Sequence, residues 1–168
     1  GTPLVSGTTG YCDEEAARVN ALGSYAPVAV SANFSIGVAV LKHLAAEAAA
    51  LLPDFDIEII ETHHRMKKDA PSGTAKLLLS AVNPDGTHPT VFGREGFAPR
   101  TADEIGVHAV RGGTVAGVHT VSFFGDEEEL SLTHRAESRR IFAIGALKTA
   151  EKLKDAPVGL HTLDELLF

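Results

Sequence analysis

Three consecutive stretches, Ile105 to Arg111, Gly117 to Phe124 and Leu130 to Arg135, alternate apolar with polar residues and are cut apart by Gly112-Gly113 and by Gly125-Asp126-Glu127-Glu128. Alternation with period two marks strands with one buried face, and glycine-rich or acidic turns between such runs connect antiparallel neighbours. A sheet ending in three antiparallel neighbours is therefore expected. Upstream, the β-branched run Ile57, Glu58, Ile59 and Ile60 adds a buried strand. Val38, Leu41, Leu44, Ala48 and Leu51 recur at helical spacing, with Lys42 and Glu47 off that stripe and Pro53 near its end. Phe142, Ala146, Leu147, Ala150 and Leu153 mark a second amphipathic helix. Shorter helices are expected from Gly73 or Thr74 to Val82, ahead of the turn Asn83-Pro84-Asp85-Gly86, and from Thr162 or Asp164. Near the N-terminus a strand (Leu4-Val5-Ser6), a Gly7-Thr8-Thr9-Gly10 loop, a helix over about Asp13 to Leu22 and a strand (Val28-Ala29-Val30) form a βαβ series. The expected class is α/β (α+β), with a mixed, mostly antiparallel sheet carrying helices on one face.

The densest chemistry lies between Glu61 and Ala75, read E-T-H-H-R-M-K-K-D-A-P-S-G-T-A. His63 and His64 emerge at the end of the Ile57 strand, where loops deliver chemistry. Neighbours on a strand face opposite sides, so the two histidines share a pocket only where the chain bends. Pro71, Ser72, Gly73 and Thr74 precede a helix. Small residues there let a ligand approach the backbone, and hydroxyls and amides at a helix start bind carboxylate or phosphate oxygens. A histidine, with an unperturbed pKa of about 6.5, holds or donates a proton near neutrality, which suits His63 to acid–base work. Lys67 can donate a proton or stabilise developing negative charge. The formal charge of −7 argues against a nucleic-acid or anionic-membrane surface, so the Arg65, Lys67 and Lys68 cluster fits a small anionic ligand better than a polyanion. The plainer alternative is a basic loop with a Ser-Gly-Thr helix cap.

Other features narrow the classes. His88, His108, His119 and His134 fall on separate elements with no ligand-like spacing and no accompanying cysteine, so they read as sheet-lining residues and no metal is expected. Cys12 is the one cysteine, which forbids an intrachain disulfide and fits a reducing cytoplasm. No leader is evident, and no apolar run approaches the roughly eighteen residues of a membrane helix. No two glycines are separated by a single residue, which excludes the G-x-G-x-x-G phosphate loop.

In chain order, Gly7-Thr8-Thr9-Gly10-Tyr11, Ala32-Asn33-Phe34-Ser35 with Gly37, the Glu61–Ala75 run, Arg94-Glu95-Gly96 and the segment Ser138 to Ala146 closely resemble the motifs of dihydrodipicolinate reductases, nicotinamide-dependent oxidoreductases of lysine biosynthesis. The resemblance covers most of the chain. It implies hydride transfer from NADPH or NADH to an unsaturated cyclic dicarboxylate, with a proton supplied by the protein. By matching positions it implies His63 and Lys67 as the catalytic pair. It assigns His64, Ser72, Gly73 and Thr74, with Thr9, to the substrate, and Gly7, Thr8, Thr9, Ser31, Ala32, Asn33 and Phe34 to the nicotinamide end of the cofactor. It also implies a homotetramer built through the sheets.

In that family a nucleotide-binding segment with a glycine-rich loop precedes the Gly-Thr-Thr-Gly motif. Residues 1–34 are accordingly expected to be a remnant of a Rossmann-like nucleotide domain without its main cofactor loop. Residues 35–138 are expected to bind substrate and oligomerise, and residues 139–168 to be helices returning to the nucleotide domain. Such a chain is expected to turn over weakly or not at all by itself. Val118 and Ser131 stand where many relatives are expected to carry an acid, and the segment from Lys76 to Gly93 looks shorter than in some relatives. The missing phosphate-loop glycines motivate an alternative of another class, a non-catalytic dicarboxylate-binding and assembly module. A third reading is a relative that reduces another cyclic or unsaturated acid.

Overall fold

Glycine, proline and short polar clusters mark where the elements of this chain end. In the computed structural model, which describes residues 1–168, the order is β1 (Leu4–Ser6), α1 (Asp13–Ala21), β2 (Pro27–Val30), α2 (Ile36–Leu51), β3 (Asp56–His63), α3 (Gly73–Val82), β4 (Thr90–Phe92), β5 (Ile105–Arg111), β6 (Gly117–Phe124), β7 (Glu129–Ala136), α4 (Arg140–Leu153), β8 (Gly159–His161) and α5 (Leu163–Leu167). Helix α3 starts on Ser72, whose Oγ accepts the Ala75 N–H at 3.2 Å. A reciprocal capping box starts α5: Thr162 Oγ1 accepts the Glu165 N–H, and the Glu165 carboxylate accepts the Thr162 N–H. Strands β4 and β8, of three residues each, are too short to show a period in the sequence.

The chain divides into two units, Gly1–Ala39 with Arg139–Phe168, and Val40–Ser138. In the first, β1 and β2 pair in parallel as a βαβ fragment should, and β2 pairs in parallel with β8 on its other side. Helix α4 lies against β1 and β2. Its buried face is Gly145, Thr149 and Leu153, whereas Leu147 and Ala150 of the expected stripe are exposed. Close approach explains the rotation. A Cβ on Gly145 would lie 1.7 Å from the backbone oxygen of Phe34, so only glycine fits there. The Thr149 hydroxyl satisfies itself on the Gly145 carbonyl at 2.9 Å, which lets a polar residue face inward.

The second unit holds a five-stranded sheet of order β4-β5-β3-β6-β7. Strands β6 and β7 are antiparallel neighbours as expected, but β5 and β6 are not neighbours at all. Strand β3 lies between them, parallel to β5 and antiparallel to β6. Alternation reveals which face of a strand is buried and says nothing about its partner. Insertion of β3 sets Ile59 between Val107 and Val121, where it is fully buried. The sheet is thus mixed, parallel on the β4-β5-β3 side and antiparallel across β3-β6-β7.

One face of this sheet meets α2 and α3. Leu41, Ala45 and Ala48 of α2 and Ala75, Leu78 and Val82 of α3 pack with Ile59, Ile105, Val107, Val121 and Phe123. Leu44 and Leu51, expected inside, are exposed. The buried series 41, 45, 48 keeps the helical period, with Ala45 rather than Leu44 turned inward. On the opposite face Ile60, Val110 and Phe124 remain exposed. Arg94, from the Arg-Glu-Gly motif, is structural there, pairing with Glu58 and Glu104.

Candidate active site

Residues Ile57, Ile59, Glu61 and His63 share one face of β3, because side chains alternate along a strand. Ile59 belongs to the core and Ile57 packs against it, while Glu61 and His63 carry the same face beyond the core. Register extends that polar end across the sheet. Glu61 stands opposite His119 on β6, His119 opposite His134 on β7, and His63 opposite Arg111 on β5.

Glu61, at 0% exposure, is the hub. Arg111 grips it in a two-point fork, Nη1 to Oε2 and Nη2 to Oε1, both at 2.8 Å. The Ser72 N–H donates to Oε1 at 3.0 Å, and His63 Nδ1 lies 2.5 Å from Oε2. Burial alone pushes this carboxyl up. The hydrogen bonds from Arg111, His63 and Ser72 together outweigh it and hold the group below the usual glutamate range. An ionised carboxylate only accepts, so His63 carries its hydrogen on Nδ1 in this contact. Its Nε2 then faces Gly117, where a Cβ would come within 3.1 Å of that nitrogen. Glycine keeps that side of the ring clear.

His119 is buried beside it, with ring centroids 5.0 Å apart in an edge-on arrangement. Its Nε2 lies 3.0 Å from Ser72 Oγ. Burial first, and then the charge of His63, push its pKa down to about 4, so His119 is neutral at pH 7. Burial also lowers His134.

Beyond His63 the chain bends. Gly112 donates its N–H to the His63 carbonyl, Arg65 to that of Gly113, and Lys67 to that of His64. The last of these bonds closes a turn over His64 to Lys67. Lys67 Nζ donates to both carboxylate oxygens of Asp69, at 2.7 and 2.9 Å, which holds that carboxyl below its ordinary range. Arg111 Nη2 also reaches the Asp69 carbonyl at 2.7 Å, so one guanidinium fastens both the hub and the loop. His63 and Ser72 therefore meet on one carboxylate, and His64 and Lys67 occupy the bend between them. Gly73 opens α3 with free space where a Cβ would be, and Thr74 follows it half-buried.

The residues assigned to the cofactor lie in the first unit. Gly7, Thr8 and Thr9 form an exposed loop after β1, so Thr9 sits with this group. The adjoining loop after β2 is tied to β1 by the Ser31 N–H donating to the Ser6 carbonyl at 3.1 Å. Ser31 Oγ donates to the Asn33 carbonyl, and Asn33 Oδ1 accepts the Ser35 N–H, both at 2.8 Å. Ala32 is exposed, whereas Phe34 is buried with its ring 3.6 Å from where a Gly7 Cβ would stand.

The sequence pattern alone assigns no role to Glu61 or Arg111 and reads His119 as sheet lining. One signal was available for Glu61, a charge on the buried phase of β3 two residues before His63. None existed for the others, whose place depends on strand order and register. No group of three or more His, Cys, Asp or Glu could hold a metal ion, and no helix is long and apolar enough to cross a membrane.

The family profile described as dihydrodipicolinate reductase, C-terminus, matches residues 37–167. The 4-hydroxy-tetrahydrodipicolinate reductase of Methanocorpusculum labreanum is 46% identical, over 99% of this chain and 66% of its own length. That of Aquifex aeolicus is 48% identical, over 98% of this chain and 63% of its own. A solved structure, dipicolinate-bound dihydrodipicolinate reductase from Paenisporosarcina sp. TG-14, aligns with a TM-score of 0.79 at 28% identity, covering 99% of this chain and 64% of that one. The chain thus spans about two thirds of the length of the relatives it matches.

Proposed function

The chain belongs to the dihydrodipicolinate reductase family, and from that premise we propose that it forms the substrate-gripping and oligomerising part of an NAD(P)H-dependent reductase. The substrate is a dihydrodipicolinate-type cyclic dicarboxylate, reduced to its tetrahydro form. The observation that carries this reading is the fully buried Glu61 carboxylate, on which His63 and the start of helix α3 are both mounted. The relative from Paenisporosarcina, solved with dipicolinate bound, supports a dicarboxylate as the ligand class.

Bound nicotinamide supplies a hydride, so the ring gains two electrons with one hydrogen and needs a second hydrogen as a proton. A doubly protonated His63, held by Glu61 at Nδ1, would deliver that proton from Nε2 and be left as the neutral Nδ1–H ring, and the Lys67 ammonium stabilises negative charge as it develops. Ser72, Gly73 and Thr74, at the positive end of the α3 dipole, together with His64, hold the carboxylates. The residues of the first unit fit the nicotinamide end of NADPH or NADH. Gly7-Thr8-Thr9 and Ser31 to Phe34 follow the carboxyl ends of parallel β1 and β2, the usual ligand edge of such sheets.

Isothermal titration of pyridine-2,6-dicarboxylate into the chain tests the reading. His64→Ala and Lys67→Ala are each expected to weaken binding by about tenfold, the loss of one charge-assisted contact. Unchanged affinity in both variants would refute the cradle. The alternative, a non-catalytic dicarboxylate-binding and assembly module, draws on the absence of G-x-G-x-x-G from these residues. Turnover by this chain with added NADPH would eliminate it. Uncovered Ile60, Val110 and Phe124 on the outer face of the sheet support a homotetramer joined through that face, and a monomer in light scattering would contradict it.

A further inference from the structure

We propose that His119 is a positioning residue: as a ring protonated on Nε2 it donates to Ser72 Oγ and thereby turns the Ser72 hydroxyl hydrogen toward the bound carboxylate. The inference rests on the reading that Ser72 grips a ligand carboxylate. It starts from the capacity of a hydroxyl, which has one hydrogen to donate and two positions that accept. Ser72 Oγ accepts the Ala75 N–H at 3.2 Å as the cap of α3, and His119 Nε2 lies 3.0 Å away. Two arrangements satisfy that second contact. With the hydrogen on Nε2, Ser72 Oγ accepts twice and its own hydrogen remains for the ligand. With Nε2 bare, Ser72 directs its hydrogen at His119 and offers the ligand none.

The other ring nitrogen distinguishes them. His119 Nδ1 is buried and has no hydrogen-bond partner in the protein. The first arrangement leaves a bare lone pair there, and the second leaves a buried N–H without an acceptor. Buried N–H groups without acceptors are much rarer than under-used acceptors, so the hydrogen belongs on Nε2. A doubly protonated ring meets the same objection at Nδ1. Burial, His63, His134 and Lys67 all oppose that cation, and Glu61 alone favours it. Near neutrality Ser72 is thus presented as a fixed donor, which rewards a carboxylate oxygen at that point of the cradle.

Two measurements test this independently. Proton–nitrogen correlation spectra of the 168-residue chain with isotope-labelled histidine, at pH 7 and without ligand, report the tautomer of each ring. The His119 signals, assigned by their loss in His119→Gln, are expected to show Nε2–H. An Nδ1–H pattern overturns the proposal whatever the chain binds. Affinity for pyridine-2,6-dicarboxylate is the second readout. His119→Leu is expected to weaken it about fivefold, but by less than about twofold in a Ser72→Ala background, since the effect passes through that hydroxyl. His119→Gln, whose amide nitrogen can donate to the same oxygen, is expected to stay within about twofold of the parent. Tighter binding by His119→Leu, or equal weakening in both backgrounds, overturns the proposal, the former because it would mean that His119 had been holding the hydroxyl away. A parent chain that binds no dicarboxylate refutes the cradle itself, while the tautomer still decides His119.

Discussion

Glu61→Ala is expected to lower the stability of the second unit by about 3 kcal/mol, the lower end of what breaking a buried ion pair removes. The side chain is wholly buried, and its deletion strands several groups at once. The Arg111 guanidinium loses both ends of its fork, the Ser72 N–H loses its acceptor, and His63 Nδ1 loses the group that orients it. Water reaches part of Arg111, whose side chain is 20% exposed, and this keeps the estimate from the upper end of the range. Urea unfolding should show the change as a lower midpoint at unchanged slope. A midpoint within experimental error of the parent would mean that the hub is not braced as described.

The same carboxylate makes a pH prediction. Its folded pKa lies below the ordinary unfolded glutamate value of about 4.3. Its contribution is therefore complete above that unfolded value and is lost as pH falls through the depressed folded one. Asp69 and Glu104 are depressed too and share the acid limb. Glu61→Gln cannot titrate and removes one contributor, so its stability should fall less steeply with acid than the parent's. Identical acid limbs in the two proteins would exclude Glu61 as a contributor.

Gly145→Ala is expected to destabilise the first unit by about 2 kcal/mol, against a helix-propensity gain of roughly 1 kcal/mol that works in the opposite direction. The close contact decides the sign. The added Cβ would lie 1.7 Å from the Phe34 carbonyl oxygen and 2.8 Å from its carbon, and backbone atoms cannot rotate away as a side-chain tip can. Helix α4 or the Phe34 loop must move by more than an ångström, roughly the deficit from an ordinary van der Waals contact. Thermal melting reads the result. A higher midpoint, as propensity alone dictates, would show that the helix does not approach the loop this closely.

The local placement of the basic loop is legible in the sequence. His63, Lys67, Ser72, Gly73 and Thr74 lie within twelve positions, and local rules place them at a strand end, in a bend and at a helix start. The Ser72 cap, the βαβ order of the first unit and the bounds of β5 and β6 follow from near-neighbour patterns, because capping, turns and alternation act within a few residues. The helix stripes were less legible. Leu44 and Leu147 are hydrophobic by type, yet Ala45 and Gly145 take the inward positions, and at Gly145 the close approach of the Phe34 backbone admits only glycine.

Local pattern identifies the residue types of the candidate site and the elements that carry His63, Lys67 and Ser72. Strand order and register are what join Glu61, Arg111, Ser72 and His119 in one network around His63. Arg111 and His119 lie far along the chain from Glu61, and they reach it because β3 inserts between β5 and β6 in one register. That insertion depends on which strands together bury Ile59, Val107 and Val121. Burial of apolar area is non-directional and carries no mark in the local pattern of any single strand.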